Sequence, residues 1–225
     1  MRLCALYSGG KDSTYAMYLL HQKGYEFSAL ISVVPESTYP MLFHSPAMEF
    51  AELFGEALGI EQQIIRRLDS MGEEEMLYDA VRTAYARKAD GLVTGAILSD
   101  YQHARMDAAC SAYGLRCFSP LWRKSPSVIL RDIVDAGIEA VITSVSAEGL
   151  GEGMVGRRLD MDVVEELLRL HEEYGLNTAG EGGEYETLVL DSPMHRKKLA
   201  IEEWDLKKEG MACRMVIGKM KTENK

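Results

Sequence analysis

Apolar positions in the first half of the chain come in two alternating forms, short unbroken runs and longer stretches with a three-to-four-residue spacing. Residues 2–7 and 27–34 are runs of the first kind and predict buried strands, as do 60–66, 91–94 and 115–118. Between them lie predicted helices at 13–23, closed by Gly24, at 46–58, closed by Gly59, and at 102–113, closed by Gly114. The clearest helix is 73–88. Its Met76, Leu77, Ala80, Val81, Ala84 and Tyr85 fall on one face, and Glu73, Glu74 and Glu75 suit the positive end of its dipole. Strands alternating with helices predict an α/β fold, a doubly wound parallel five-stranded sheet covered on both faces. Such sheets bind ligands beyond the carboxyl ends of their strands, where the strand order reverses.

The pattern changes near residues 120–126. Ser125 and Pro126 suit the start of a helix that carries Val128, Ile129, Ile133 and Val134 and stops near Gly137. A strand at 138–145 follows, then an amphipathic helix at 162–174 through Val163, Val164, Leu167, Leu168 and His171. Residues 185–190, 198–201 and 211–217 predict strands of a smaller mixed sheet. The expected division is 1–122 for the first domain and 123–225 for a second, smaller α+β domain.

Composition fits a globular protein, at 47% hydrophobic and 27% charged, with disorder expected only in residues 219–225. The net charge is -10, and the densest basic cluster, His195-Arg196-Lys197-Lys198, reads as a solvated turn, so no nucleic-acid partner is expected. No apolar run is long enough to cross a bilayer. Cys4, Cys110, Cys117 and Cys213 form no CxxC pair, and Cys4 reads as a small buried hydrophobe. Free thiols and the lack of a charged-then-apolar leader suggest a cytoplasmic protein. Nothing in the composition opposes a homo-oligomer.

The chemistry concentrates in Ser8-Gly9-Gly10-Lys11-Asp12-Ser13, at a predicted strand-to-helix junction. Two glycines allow close backbone approach to a ligand, and unpaired amides at the helix start favour an anion. Lys11 adds a positive charge there, Ser8 and Ser13 can donate hydroxyl hydrogen bonds, and Asp12 suits a magnesium ion. The spacing does not fit the Walker pattern. Two further segments stand out. Gly95-Ala96-Ile97-Leu98-Ser99-Asp100-Tyr101-Gln102 follows the fourth strand, with Arg105 downstream as a planar fork for phosphate or carboxylate, or as an exposed helix arginine. Gly180-Glu181-Gly182-Gly183-Glu184-Tyr185-Glu186-Thr187 holds three acids and an aromatic among three glycines before a strand.

SGGKDS resembles the PP-loop of the ATP pyrophosphatases. Taken in order with Met41-Leu42-Phe43-His44, GAI-SDYQ, Pro120-Leu121-Trp122 and EGGEYET, it resembles the diphthine–ammonia ligase family in a short archaeal-type form. The resemblance implies ATP with Mg2+, cleavage between the α- and β-phosphates, and amidation by ammonium of the diphthine carboxylate on translation elongation factor two. AMP and pyrophosphate are then released by way of an acyl-adenylate. On that reading Ser8, Gly9, Gly10, Lys11, Asp12 and Ser13 hold the phosphates, and backbone at Ser32, Val33, Gly95 and Ala96 flanks the adenosine. Lys11 and Asp12, the latter as metal ligand, act with Glu181, Glu184 and Glu186 in catalysis. Substrate falls to His44, Ser99, Asp100, Arg105, Trp122, Gly182, Gly183, Tyr185 and Thr187, with Tyr185 and Trp122 suited to the trimethylammonium group by cation–π attraction. Free ammonium is the expected nitrogen source, since Cys4 sits in a strand and the chain has little length for a glutaminase. The competing readings are an amide ligase for a small carboxylic acid, a tRNA-modifying PP-loop enzyme and a nucleotide-binding sensor without turnover.

Overall fold

The computed structural model describes residues 1–34, 47–66 and 72–225. Among these, strands β1 (Arg2–Leu6), β2 (Glu26–Val34), β3 (Gln62–Arg66), β4 (Gly91–Val93) and β5 (Arg116–Phe118) pair in parallel in the order β3-β2-β1-β4-β5. The chain steps outward from β1 to β3, then returns to the other side of β1 for β4. The predicted doubly wound sheet is therefore present, and its order reverses between β1 and β4. Alternation along β1 sends Leu3 and Ala5 to one face, where they join Ala16, Met17, Leu20 and Phe54. Cys4 goes to the other face, against Met76, Ala80, Ala84 and Cys110, and is the buried hydrophobe expected of it.

Helices α1 (Lys11–Gln22), α2 (Ala51–Leu58), α3 (Glu73–Ala86) and α4 (Asp100–Ala112) cover the sheet. Two of them start earlier than the apolar spacing predicts, because capping sets a helix start rather than the first apolar residue. Extended Gly10 precedes α1, which takes in Lys11 and Asp12. The Ser99 hydroxyl accepts from Gln102 N, so α4 begins at Asp100. A 3-10 turn at Met48–Phe50 replaces the first part of the second predicted helix. In the rest of the chain, α5 (Pro126–Asp135) follows Ser125, whose hydroxyl bonds Ser127 and not a helix amide. Helix α6 (Met161–Tyr174) is capped by Asp160, which accepts from Val163 N at 2.9 Å.

Strands β6 (Glu139–Val145), β7 (Tyr185–Asp191), β8 (Lys197–Glu209) and β9 (Ala212–Asn224) form a second sheet in the order β7-β6-β9-β8. Every pairing is antiparallel, where a mixed sheet was expected. The β8–β9 ribbon is also far longer than the two short strands predicted, and it absorbs the tail expected to be disordered. Glu202 ties Lys219 and Lys221 across it, and Lys225 reaches Asp191 at 2.6 Å. The basic cluster is not a solvated turn. His195 is buried, Arg196 N donates to Ala57 O at 2.7 Å, and Lys197 and Lys198 pair with Glu56 and Asp191. It forms the seam where the second sheet meets α2. No helix among the described residues is long and apolar enough to cross a membrane.

Candidate active site

Where the strand order reverses, beyond the carboxyl ends of β1 and β4, a cleft encloses about 970 Å³, its solvent-open part included. One wall is the β1–α1 turn with Thr94, Gly95 and Ala96 after β4. The other comes from the second sheet, through Gly180, Glu181, Tyr185, Glu186 and Thr187. The site therefore belongs to neither sheet alone.

The turn is knit from within. Gly9 has φ +76, and a Cβ there would lie 2.6 Å from a ring carbon of Phe54, so the position requires glycine. The Ser8 hydroxyl lies 3.1 Å from that of Ser13, and Ser13 and Thr14 both donate to Gly10 O, at 3.1 and 2.9 Å. The two serine hydroxyls thus shape the turn, where donation to phosphate was expected. Gly95 lets the loop after β4 press on the helix start, since a Cβ there would lie 2.8 Å from Ser13 N.

The second sheet docks on the turn by backbone bonds. Val189 N donates to Gly9 O at 2.8 Å, and Lys11 N donates to the buried Thr187 hydroxyl at 3.1 Å. Thr187, expected to bind substrate, braces the turn, and one amide expected to hold phosphate is engaged by it. Lys11 is 3% exposed, and its Nζ lies 2.8 Å from Asp12 Oδ2, 2.5 Å from Ala179 O and 5.0 Å from the centre of the Tyr185 ring. Burial is the largest influence and opposes the ammonium, but Asp12, Tyr185 and Glu186 together outweigh it and hold its pKa above the ordinary range. Among the described residues, Asp12 Oδ1 is buried with no hydrogen-bond partner.

The acidic segment divides by geometry. Glu181 accepts from the amides of Ile97, Leu98 and Ser99. Glu184 accepts from Gly182 N at 2.9 Å, closing a turn in which Gly183 N bonds Gly180 O. Glu186 lines the cleft, and burial pushes its carboxyl from 4.5 up to about 7, Lys11 opposing and Asp12 and Glu184 adding to the rise. Tyr185 is 1% exposed, donates to Thr178 O at 2.6 Å and already has Lys11 over its ring, so it does not form the expected cage for a quaternary ammonium.

Other expected residues lie away from the cleft. Trp122 stacks on His103 with centroids 4.1 Å apart and carries Arg123 on its ring. Arg105 pairs with Glu74 at 2.8 Å and stacks over Tyr101, and Asp100 pairs with Arg123. Ser99 is the α4 cap. Ser32 is buried, donating to Tyr7 O at 2.5 Å and accepting from Gln62, while Ile31 and Val33 on either side of it line the cleft. His44, with Met41, Leu42 and Phe43, lies outside the described residues. Lining residues that no motif marked are Leu6, Tyr7, Ile31, Met48, Thr94 and Met106. Strand alternation could have found Ile31, and the α4 spacing Met106. The rest carry no local signal.

Sequence profiles of the diphthamide synthase N-terminal and C-terminal domains match residues 1–117 and 125–222. Curated relatives named diphthine–ammonia ligase share this sequence at length. The human protein is 32% identical over 223 residues, covering 90% of this chain and 83% of that protein. The rat protein is 31% identical with the same coverage. The Schizosaccharomyces pombe protein is 33% identical over 221 residues, covering 90% of this chain and 36% of that longer protein.

Proposed function

Because the chain belongs to the diphthamide synthase family, we propose that it is an ATP-dependent ligase that joins ammonium to the diphthine carboxylate of translation elongation factor two. The products are diphthamide, AMP and pyrophosphate. One observation carries the reading. A charged Lys11 and a Glu186 carboxyl with its pKa near neutrality line the same cleft, one from each sheet, where the parallel strand order reverses.

In this reading the triphosphate lies at the α1 start, where helix amides and dipole favour negative charge. The adenosine rests along Val33, Gly95 and Ala96. The diphthine carboxylate attacks the α-phosphorus, and the bond to the β-phosphate oxygen breaks. Lys11 offsets charge that grows on the departing pyrophosphate. Ammonia then attacks the acyl carbon of the adenylate and displaces AMP. Glu186 takes the proton that the attacking nitrogen loses, a task suited to a base near neutrality. Glu184 shapes the turn that presents it. Asp12 Oδ1, buried and without a hydrogen-bond partner among the described residues, would hold a magnesium ion. Bound there, the ion supplies charge neutralisation for the triphosphate.

The test is to incubate the protein with diphthine-bearing elongation factor, ATP, magnesium and ammonium, and weigh the factor. Exchange of hydroxyl for amine lowers its mass by about one dalton. That loss should require both ATP and ammonium and should come with equal AMP and pyrophosphate. An unchanged mass, or release of ADP and phosphate instead, overturns the reading.

A further inference from the structure

The Glu181 carboxylate spans the cleft. Its Oε1 accepts from Ile97 N at 2.8 Å, Leu98 N at 2.9 Å and Ser99 N at 3.4 Å, and its Oε2 accepts from Leu98 N at 2.8 Å. Those amides lead into α4, at the positive end of its dipole. The bonds join the loop before β7 to the loop after β4, 82 to 84 residues apart in sequence. Both oxygens are engaged by N–H donors, a poor placement for taking a proton from substrate.

The chain on either side of Glu181 makes the consequence specific. Ala179 O holds the Lys11 ammonium at 2.5 Å. Gly180, at φ +72, begins a tight turn in which an added Cβ would lie 2.7 Å from Tyr185 O. Tyr185 in turn lies beneath Lys11. A pinned Glu181 therefore sets the height of the Ala179–Gly180 backbone over Lys11, and with it the shape of the phosphate end of the cleft.

We propose that Glu181 is a positioning residue, a latch that ties the second sheet's loop across the ATP cleft and fixes Lys11 through Ala179, and that it transfers no proton. The proposal rests on the nucleotide reading of the cleft given above. It makes an unusual ordering of substitutions. Glu181→Gln keeps the length and one acceptor oxygen for the Oε1 bonds to Ile97 and Leu98, and gives up the Oε2 bond to Leu98 N together with the charge. Glu181→Asp keeps the carboxylic acid but falls short by one methylene. A latch is served better by glutamine, and an acid–base residue better by aspartate.

The experiment measures ATP affinity by calorimetric titration, and kcat and KM for ATP in the ligase reaction, on the wild type and both variants. Melting temperatures confirm that each is folded. Loss of the charge-assisted bonds in Glu181→Asp is expected to weaken ATP binding by about tenfold or more, mainly in Kd and KM. Glu181→Gln, which keeps the reach and the Oε1 bonds, should lose clearly less ATP affinity than Glu181→Asp. Aspartate outperforming glutamine, or both variants losing kcat with ATP affinity unchanged, overturns the latch alone. A wild type that binds no ATP overturns the nucleotide cleft and the latch together.

Discussion

Glu186→Gln tests the site through stability as well as activity. Burial lifts the folded-state carboxyl from 4.5 to about 7, so between those values the folded protein holds a proton that the unfolded chain has released. Stability from this group is full below pH 4.5 and is lost as pH rises through 7. The displacement corresponds to ~3 kcal/mol. Glutamine has nearly the same shape and no titration, so it removes the whole dependence. Urea unfolding of both proteins at pH 5 and pH 8 reads it directly. The stability difference should move in favour of Glu186→Gln by most of ~3 kcal/mol between the two pH values. The acid limb of kcat/KM near pH 7 should vanish in the variant, with the residual rate down by roughly a hundredfold or more. Stability curves that stay parallel across that range would refute the argument, because the carboxyl would then not be held protonated by its surroundings. A change of opposite sign would show that Lys11, and not burial, dominates.

Gly95→Ala places a Cβ within 2.8–3.1 Å of backbone atoms of Asp12 and Ser13. Neither can yield cheaply, so ATP affinity should fall by tenfold or more, with about 1–3 kcal/mol lost in unfolding experiments. Thr187→Val leaves Lys11 N without its buried acceptor and should cost about 1–3 kcal/mol and raise KM for ATP, while Thr187→Ser restores both. Burial pushes His195 down to about 4, and among the described residues its Nε2 has no hydrogen-bond partner. Between pH 6.5 and 4 the unfolded chain takes up a proton that the folded state refuses, so stability falls with pH by up to ~3 kcal/mol. His195→Gln should flatten urea midpoints over that range, opposite in sign to the Glu186 effect.

Much of the first sheet was legible because its signals are local. Unbroken apolar runs such as β1 and β2 are what strands buried on both faces require. The apolar face of α3 repeats with the helical period. Gly9 must be glycine because of its own φ and the ring of Phe54, and SGGKDS does lie between a strand and a helix, the placement that led to the expectation of an anion site. Helix starts were read late at α1 and α4, where the first residues are polar and capping decides.

The second sheet was harder to read because its order comes from partners remote in sequence. β8 carries charges along much of its exposed length with no clean alternation, β9 alternates only from Cys213 to Ile217, and the extent of both is set by the ladder each offers the other. The acidic segment shows the same limit at the site. Its composition marked it as unusual, yet the direction of each side chain depended on where the second sheet docks. Only the docked structure puts Thr187 under the turn, Lys11 on Tyr185 and Glu181 on the amides before α4. Trp122 and Arg105 likewise found His103 and Glu74, where sequence chemistry had offered them a substrate. By itself the sequence determined the parallel sheet, its glycine-bearing turn at the strand-to-helix junction and the kind of residues that furnish the cleft, since each follows from backbone geometry and burial within a few neighbours. Which of those residues face the ligand and which hold the walls together was decided by tertiary structure, because a side chain's role depends on the nearest unsatisfied group in space.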